Sequence, residues 1–409
     1  MAVGVSARTA FSLLFPAILD EFGWERGMTA GAFSFGFVVS AAAGPVLGRL
    51  MDRRGPRAVI ELGVGLLAVG LWLAMAIHQP WHLYATLGVL VSVGSNSLGY
   101  TAQALYLPHW FVRRRGLAMS LAYAGAGVGA IVVLPWVQRV IVDAGWRAAC
   151  WALGVLVVAL LAPLNLLLKH RPEDIGLQPD GDRPPDDAAV GGGKVGANRA
   201  QRAVDWTLGR AMRTAPFWWI AVGYFTALYS WYAVQVHQTR YLLELGFTPA
   251  DAAWALGLVS LVGIPGQIAL GYLSDRIGRE WAWTAGNLGF ALCFLALLAL
   301  RHVPTPTVLV LMVLAQGAVG YGLVAVLGAI PADMFGGRHH GTILGTLIVA
   351  AGAGGAAGPW LTGVLYDTTG TYAPGFTVGI GCSALSAIAI WCAGPRRARP
   401  RNATGSVSQ

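Results

Sequence analysis

"GRLMDRRGPR" (Gly48–Arg57) is a short charged turn that follows a long apolar run. A near copy, "GYLSDRIGR" (Gly271–Arg279), follows another, and Asp52 and Asp275 stand 223 residues apart. A chain that writes one turn twice, half its length apart, was built by doubling. What was doubled follows from the residues around the two turns.

Hydrophobic residues make up 56% of the 409-residue chain and charged residues only 11%, with a mean hydropathy of +0.60. A soluble domain carries about 25% charged residues, so most of this chain cannot face water and lipid is its solvent. The net charge of +9 does not mark a nucleic-acid binder, because the arginines sit in short breaks between apolar runs rather than in one basic patch. Cys150, Cys293, Cys382 and Cys392 lie inside apolar runs without pairing or metal-ligand spacing and read as small packing residues. The composition and motifs call for no metal and no cofactor. The first apolar run reads as a spanning helix rather than a cleavable signal peptide.

A helix needs about 20 apolar residues to cross a bilayer. Twelve runs qualify: 2–19, 28–50, 57–77, 82–108, 117–142, 147–168, 216–238, 251–273, 281–300, 307–333, 341–365 and 374–394. They are too long for strands and show no alternation. Glycine is frequent inside them, as in "AGAGVGAI" (124–131) and "AGAGGAAGP" (351–359), which suits close helix packing in lipid. The Gly-x-Gly at Gly125 and Gly127 is therefore packing, not a nucleotide fingerprint, since no strand precedes it. The stretch 169–214 is rich in Pro, Gly and charge and reads as a flexible linker. Its "GGGKVG" lacks the spacing and the hydroxyl residue of a phosphate loop.

With the N-terminus inside, 22 Lys and Arg residues fall in inner breaks and 5 in outer ones. That bias places both ends in the cytoplasm. The expected architecture is all-α: six spans in 1–168, a cytoplasmic linker 169–214, six spans in 215–394 and a cytoplasmic tail 395–409. The two charged turns then occupy equivalent places, after spans 2 and 8. Doubling of this kind points to a transporter with its site between the halves, near the midplane.

Here the residues resemble a known family. Gly48, Asp52, Arg53, Gly55 and Arg57 are similar to the signature turn of the major facilitator superfamily, and Gly271, Asp275, Arg276, Gly278 and Arg279 repeat it. Within that superfamily the chain resembles the monocarboxylate and oxalate/formate-type branch. The likeness rests on "FPAILDEFGWERG" after span 1, "WFVRRRGLAMSLAYAGAGVG" entering span 5, "RPEDIGLQPDG" after span 6 and "GTILGTLIVAAGAGGAAGPWLTGVLYDTTGTY" through span 11. The resemblance implies alternating access by two six-helix bundles and a monomer in the cell membrane. It also implies that Asp52 meets the start of span 11, near Gly341 to Ile343, when the inner side closes. Arg53 and Arg57 would hold that turn, and Asp275, Arg276 and Arg279 would form its twin; the bland alternative is that these charges only set topology. A carboxylate at a helix N-terminus gains about 0.3–1 kcal/mol when exposed and about 2 when partly buried.

Arg8 lies 12 residues before Asp20, roughly 18 Å along a helix, and so near the middle of a hydrocarbon core about 30 Å thick. An arginine at that depth costs about 2.5–3.5 kcal/mol to insert. It either grips a carboxylate through two parallel hydrogen bonds, or pairs between helices, or snorkels to the inner face. Twenty residues back from Asp20 is the start of the chain, where the family carries extra residues; either the first turn is frayed or the native chain begins earlier.

In this superfamily spans 1, 4, 7 and 10 line the cavity. Span 4 offers Asn96, Tyr100 and Gln103, spaced to share one helical face. Span 7 offers Tyr229 and Tyr232, three apart, with His237 near its outer end as a helix-interface residue. Span 10 offers Gln316 and Tyr321. For each of these the bland account is a hydrogen bond between helices. Monocarboxylate relatives place an arginine in span 8, eight residues before the acidic residue of the turn; here that position is Gln267. The span 11 lysine of oxalate-type relatives has no counterpart in 341–365. A dianion is thus disfavoured, and a monoanion on Arg8 or a neutral polar solute both fit. Gln267 remains available to hydrogen-bond the cargo. No acidic residue lies near a midplane; Glu61, four residues after Arg57, is placed to pair with it. A symported proton would therefore need the cargo's own carboxylate or His237.

The leading expectation is a secondary transporter of a small organic anion, a monocarboxylate. The rivals are an exporter of drugs or neutral metabolites and a non-transporting solute sensor. Span 4 lacks the exporters' arginine, and Pro135 is not preceded by glycine as in their span 5 motif. A sensor would carry an added signalling domain. No metalloprotease motif or nucleophile elbow points to an enzyme.

Overall fold

The computed structural model describes residues 2–99, 103, 110, 115–168, 206–335 and 340–394. Among them the regular structure is helical. The principal elements are α1 (Ala2–Thr9), α2 (Phe11–Phe22), α3 (Arg26–Ala74), α4 (Ser92–Leu98), α5 (Arg115–Leu166), α6 (Ala215–Glu244), α7 (Pro249–Ile277), α8 (Arg279–Leu300), α9 (Pro306–Leu314), α10 (Leu323–Leu327), α11 (Ala329–Phe335), α12 (His340–Thr369) and α13 (Ala373–Ala393).

Among the described residues nine segments are long and apolar enough to span a bilayer, against the expected twelve. One of them, Gly125–Leu166, runs 42 residues and folds back at Gly145 (φ 85°, ψ 165°), so it is two helices. The expected span 82–108 reaches into residues outside those described. The helix at 216–238 exists as α6, 30 residues long, but its Tyr, Gln, His and Thr residues lower its hydropathy. Only 33% of the most apolar window of Gly125–Leu166 is buried within the protein. The rest faces outward as hydrocarbon, which makes this a multi-pass membrane protein.

The doubled turn is a doubled conformation. Gly55 (φ 80°, ψ 173°) and Gly278 (φ 110°, ψ 153°) break the helix at matching places in the two copies. That region is closed to side chains with a Cβ, so both copies need glycine there. Gly278→Ala is expected to cost about 1–3 kcal/mol and lower the melting temperature in detergent. Gly381→Ala, on a helix with open space at the Cβ position, should hold or raise it. The likeness extends further: Tyr84–Val91 and Ala315–Val319 are both π-helical, the first leading into α4 and the second following α9. Gly88 in the first lies against the Ala32 carbonyl of α3, and Gly317 in the second against the Val259 carbonyl of α7.

Buried apolar side chains form two main clusters. One gathers Leu14, Phe15, Ile18, Leu67, Leu134 and Leu153; the other gathers Tyr224, Trp283, Phe290, Phe294 and Phe376. Between them runs a seam where α3 packs on α12, α5 on α7 and α2 on α6. Of the expected linker, 169–205 lies outside the described residues. Its end is a one-turn helix, Leu208–Met212, capped by the Thr207 hydroxyl accepting from the Arg210 N–H at 3.3 Å, with Trp206 packed edge-on against Phe335.

Candidate functional site

A cavity of about 620 Å³ lies on the seam. α1 contributes Ser6, Arg8 and Thr9; α3 contributes Phe33; α4 contributes Ser95 and Asn96; α5 contributes Ala126, Gly127 and Ala130. From the other side come Trp231, Tyr232 and Gln235 of α6, Ser260 and Gln267 of α7, and Tyr321. Both halves of the chain therefore face the same space.

Arg8 is the one charged side chain among the described lining residues. Its Cζ sits 4.1 Å from the centre of the Phe37 ring and 5.3 Å from that of Phe33. Tyr232, from the opposite half, packs on Phe37 with ring centres 4.3 Å apart. The rings hold the cation by its face and leave its edge donors unused: Nε and Nη2 are buried without a hydrogen-bond partner. A buried guanidinium with idle donors is costly. No carboxylate stands among the described residues that line the cavity.

The other expected site residues divide. Asn96, Tyr232, Gln267 and Tyr321 line the cavity with Arg8. Tyr229 is buried in the second core cluster, and Gln316 is buried with its Oε1 3.8 Å from the Cys293 thiol; neither reaches the cavity. Tyr100 lies outside the described residues. Gln103 is described, but the helix that was to align it with Asn96 ends at Leu98, where Gly99 turns extended (φ −90°, ψ −156°), and Gln103 does not line the cavity. Sequence reasoning missed Trp231, Gln235, Ser95 and Phe33. Trp231 and Gln235 carry an i, i+4 signal, since the Trp231 Nε1 donates to the Gln235 Oε1 at 3.1 Å.

The side chains of Asp52, Arg53 and Asp275 lie outside what is described. Arg57 donates to Glu61 at 2.9 Å, the expected local pair. Arg276 donates to the Tyr272 hydroxyl, and Arg279 donates to Asp333 of α11 at 3.1 Å and to the Ser274 hydroxyl at 2.5 Å.

At the far end of the seam a carboxylate meets a helix N-terminus with different residues. Asp367, near the end of α12, accepts from the backbone N–H of Arg26 at 2.9 Å and of Gly27 at 2.6 Å, the first residues of α3. Arg26 also pairs with Glu244, lies 3.5 Å over the Tyr366 ring and donates to the Tyr372 hydroxyl at 2.7 Å. Arg240 joins Glu244 to Asp20. Behind them His237 Nε2 lies 2.8 Å from the Pro359 carbonyl, and Nδ1 lies 3.3 Å from the Tyr372 hydroxyl. A carbonyl only accepts, so Nε2 carries the hydrogen, and in the neutral ring Nδ1 accepts from Tyr372. Burial pushes the Tyr372 phenol up, which keeps that donor in place. His237 is thus an interface residue, as expected. Gly27 and Gly363 touch: a Cβ on Gly363 would fall 2.6 Å from the Gly27 Cα. Along the same two helices, Gly44 and Gly345 have open space at the Cβ position. The contacts of Arg26, Gly27 and Asp367 seal the seam at this end.

Comparison with known proteins agrees with this geometry. The Major Facilitator Superfamily model matches residues 1–248 and 220–408. Monocarboxylate transporter 13 of Rattus norvegicus is 28% identical over 375 residues, covering 90% of this chain and 80% of the relative. Monocarboxylate transporter 11 of Mus musculus is 29% identical over 407 residues, covering 95% and 83%. Among solved structures, an inward-facing, occupied bacterial homologue of the human lysosomal transporter Spinster superposes with a TM-score of 0.70 at 14% identity, covering 98% of this chain and 96% of that one. A variant of the nucleoside transporter NupG gives 0.69 at 12%, covering 96% and 99%. The chain belongs to the Major Facilitator Superfamily, is similar to its monocarboxylate transporters, and is a membrane transporter rather than an enzyme.

Proposed function

We propose that this protein is a secondary transporter that carries a monovalent organic anion, a monocarboxylate, by alternating access. The observation that supports this reading best is Arg8: a buried guanidinium with two idle donor nitrogens, alone in its charge among the described residues around an inter-half cavity. A carboxylate there would accept two charge-assisted hydrogen bonds and neutralise the cation. Asn96, Tyr232 and Gln267 would take the cargo's remaining polar atoms. The names of the relatives point the same way.

In this reading the chain has twelve spans in bundles 1–168 and 215–394, joined by the linker 169–214 and followed by the tail 395–409. Both ends lie in the cytoplasm, and the protein works as a monomer in the cell membrane. The 22-to-5 distribution of Lys and Arg supports that orientation, which makes the sealed end the outer one. Fusion reporters on the two termini should occupy the same compartment; opposite compartments would remove the even number of crossings.

The direct test is uptake of labelled lactate and pyruvate into proteoliposomes, with and without an inward proton gradient. Uptake that saturates and speeds up with the gradient is the expected result for symport. Saturable uptake indifferent to the gradient would remove the proton, and absence of uptake and counterflow for every monocarboxylate tried would remove the anion. Asp52→Asn is expected to slow turnover more than it weakens binding, because its proposed role is to close the inner side. Wild-type turnover in that variant would take Asp52 out of the gate.

A further inference from the structure

The cavity has a second chemical pole, built as deliberately as the first. Trp231 and Tyr321 stack with ring centres 4.1 Å apart and planes 18° from parallel. Phe290 backs Trp231 at 5.2 Å. Tyr321 sits in the one-turn 3₁₀ segment Gly320–Gly322, and its ring lies directly on α7 at Gly263, where a Cβ would fall 2.6 Å from the ring. Three helical elements thus converge to present one aromatic wall, with Gln235 held against the Trp231 indole N–H.

The wall is continuous with the cationic pole. From the Arg8 guanidinium, ring contacts run through Phe37 at 4.1 Å and Tyr232 at 4.3 Å to Trp231 at 6.4 Å. The cavity they share is large. About 620 Å³ falls within the roughly 300–1,000 Å³ of sites that enclose ligands of drug size. A three-carbon acid seated on Arg8 would leave the wall in contact with water. An acid that also bears a ring would dock its carboxylate on Arg8 and bury the ring against Trp231 and Tyr321, in the offset or edge-on geometries aromatic pairs favour.

We propose that the preferred cargo is an aromatic monocarboxylate, selected by the Trp231–Tyr321 wall opposite Arg8. The inference rests on the reading of Arg8 as the carboxylate anchor. Its test uses two acids with the same head group, lactate and 3-phenyllactate, as competitors of each other's uptake into proteoliposomes holding the full chain. Wild-type protein should be half-inhibited by 3-phenyllactate at a concentration at least about tenfold below that of lactate, given the apolar area a ring buries. Trp231→Leu and Tyr321→Leu should each collapse that ratio toward one, and Tyr321→Phe should keep it. Equal half-inhibition in the wild type, which needs no variant, would overturn the proposal; so would a ring preference that survives both leucine substitutions. Failure of the anchor looks different: neither acid would be bound, or both would bind equally well after Arg8→Gln. Uptake of lactate that depends on Arg8 without any ring preference would leave the anchor standing and remove the aromatic cargo alone.

Discussion

Arg8→Gln is expected to abolish anion uptake and, at the same time, to stabilise the empty protein. The two effects share one cause. Removing one partner of a buried, hydrogen-bonded charge pair costs about 2–5 kcal/mol of binding, and the lower figure is already about a 30-fold loss of affinity. In the empty protein the same guanidinium has no carboxylate, and its Nε and Nη2 find no acceptor. A neutral amide removes a cation whose insertion costs about 2.5–3.5 kcal/mol at a helix centre. The melting temperature in detergent should therefore rise without cargo, and the shift that a bound acid gives the wild type should vanish. Arg8→Lys keeps the charge but loses the planar fork, so it should recover only part of the affinity. Wild-type uptake by Arg8→Gln would take Arg8 out of the site, and a fall in melting temperature would mean that Arg8 has a partner in the resting protein.

Gly363→Val is expected to hold the sealed end open. A Cβ at Gly363 would meet the Gly27 Cα at 2.6 Å and its N at 2.7 Å. Those are backbone atoms at the start of α3, so no side chain can swing aside. Separating them pulls Asp367 from the N–H groups of Arg26 and Gly27 and loosens the bridges of Arg26 and Arg240 to Glu244 and Asp20. A carboxylate at a helix N-terminus in a partly buried site contributes up to about 2 kcal/mol, and the bridges add to it. In the proposed cycle both ends close in turn, so turnover should fall to background while the cargo still binds. Cysteines introduced on either side of this end should react with an impermeant maleimide far faster than in the wild type. Asp367→Ala is the milder form: the end opens more often and turnover changes by severalfold rather than vanishing. Normal transport by Gly363→Val would show that the two helices do not need this contact to close.

Part of the candidate site was legible in the residues, and the misses come from helical phase and from distance along the chain. Arg8 was found because depth can be counted: 1.5 Å per residue from Asp20 places it within the bilayer. Tyr229 and Tyr232 were read as one face, yet three residues turn a helix by about 300°, and that offset puts one ring in the cavity and the other in the core. Gln316 and Tyr321 were assigned on an unbroken α-helix. Five residues turn even an ideal helix by about 500°, so the two would not share a face there, and the π-helical and 3₁₀ segments that carry them change the phase again. Asn96, Tyr100 and Gln103 were aligned across Gly99, where the helix ends. Asp367 drew no notice, although it lies in a stretch that carries the family resemblance, because its partners are some 340 residues away in the chain.

Sequence by itself determined the solvent, the doubling and the depth of Arg8. Each follows from a local penalty: charged groups are too costly in hydrocarbon to be scattered, and a backbone at φ 80° or 110° admits only glycine. Tertiary structure alone decided which polar side chains share the cavity, that Trp231 and Tyr321 stack in the same cavity as Arg8, and that the seam is shut at the end of Arg26 and Asp367. Those outcomes depend on helical phase after π and 3₁₀ turns and on contacts between segments hundreds of residues apart, and neither is written in any single stretch of the chain.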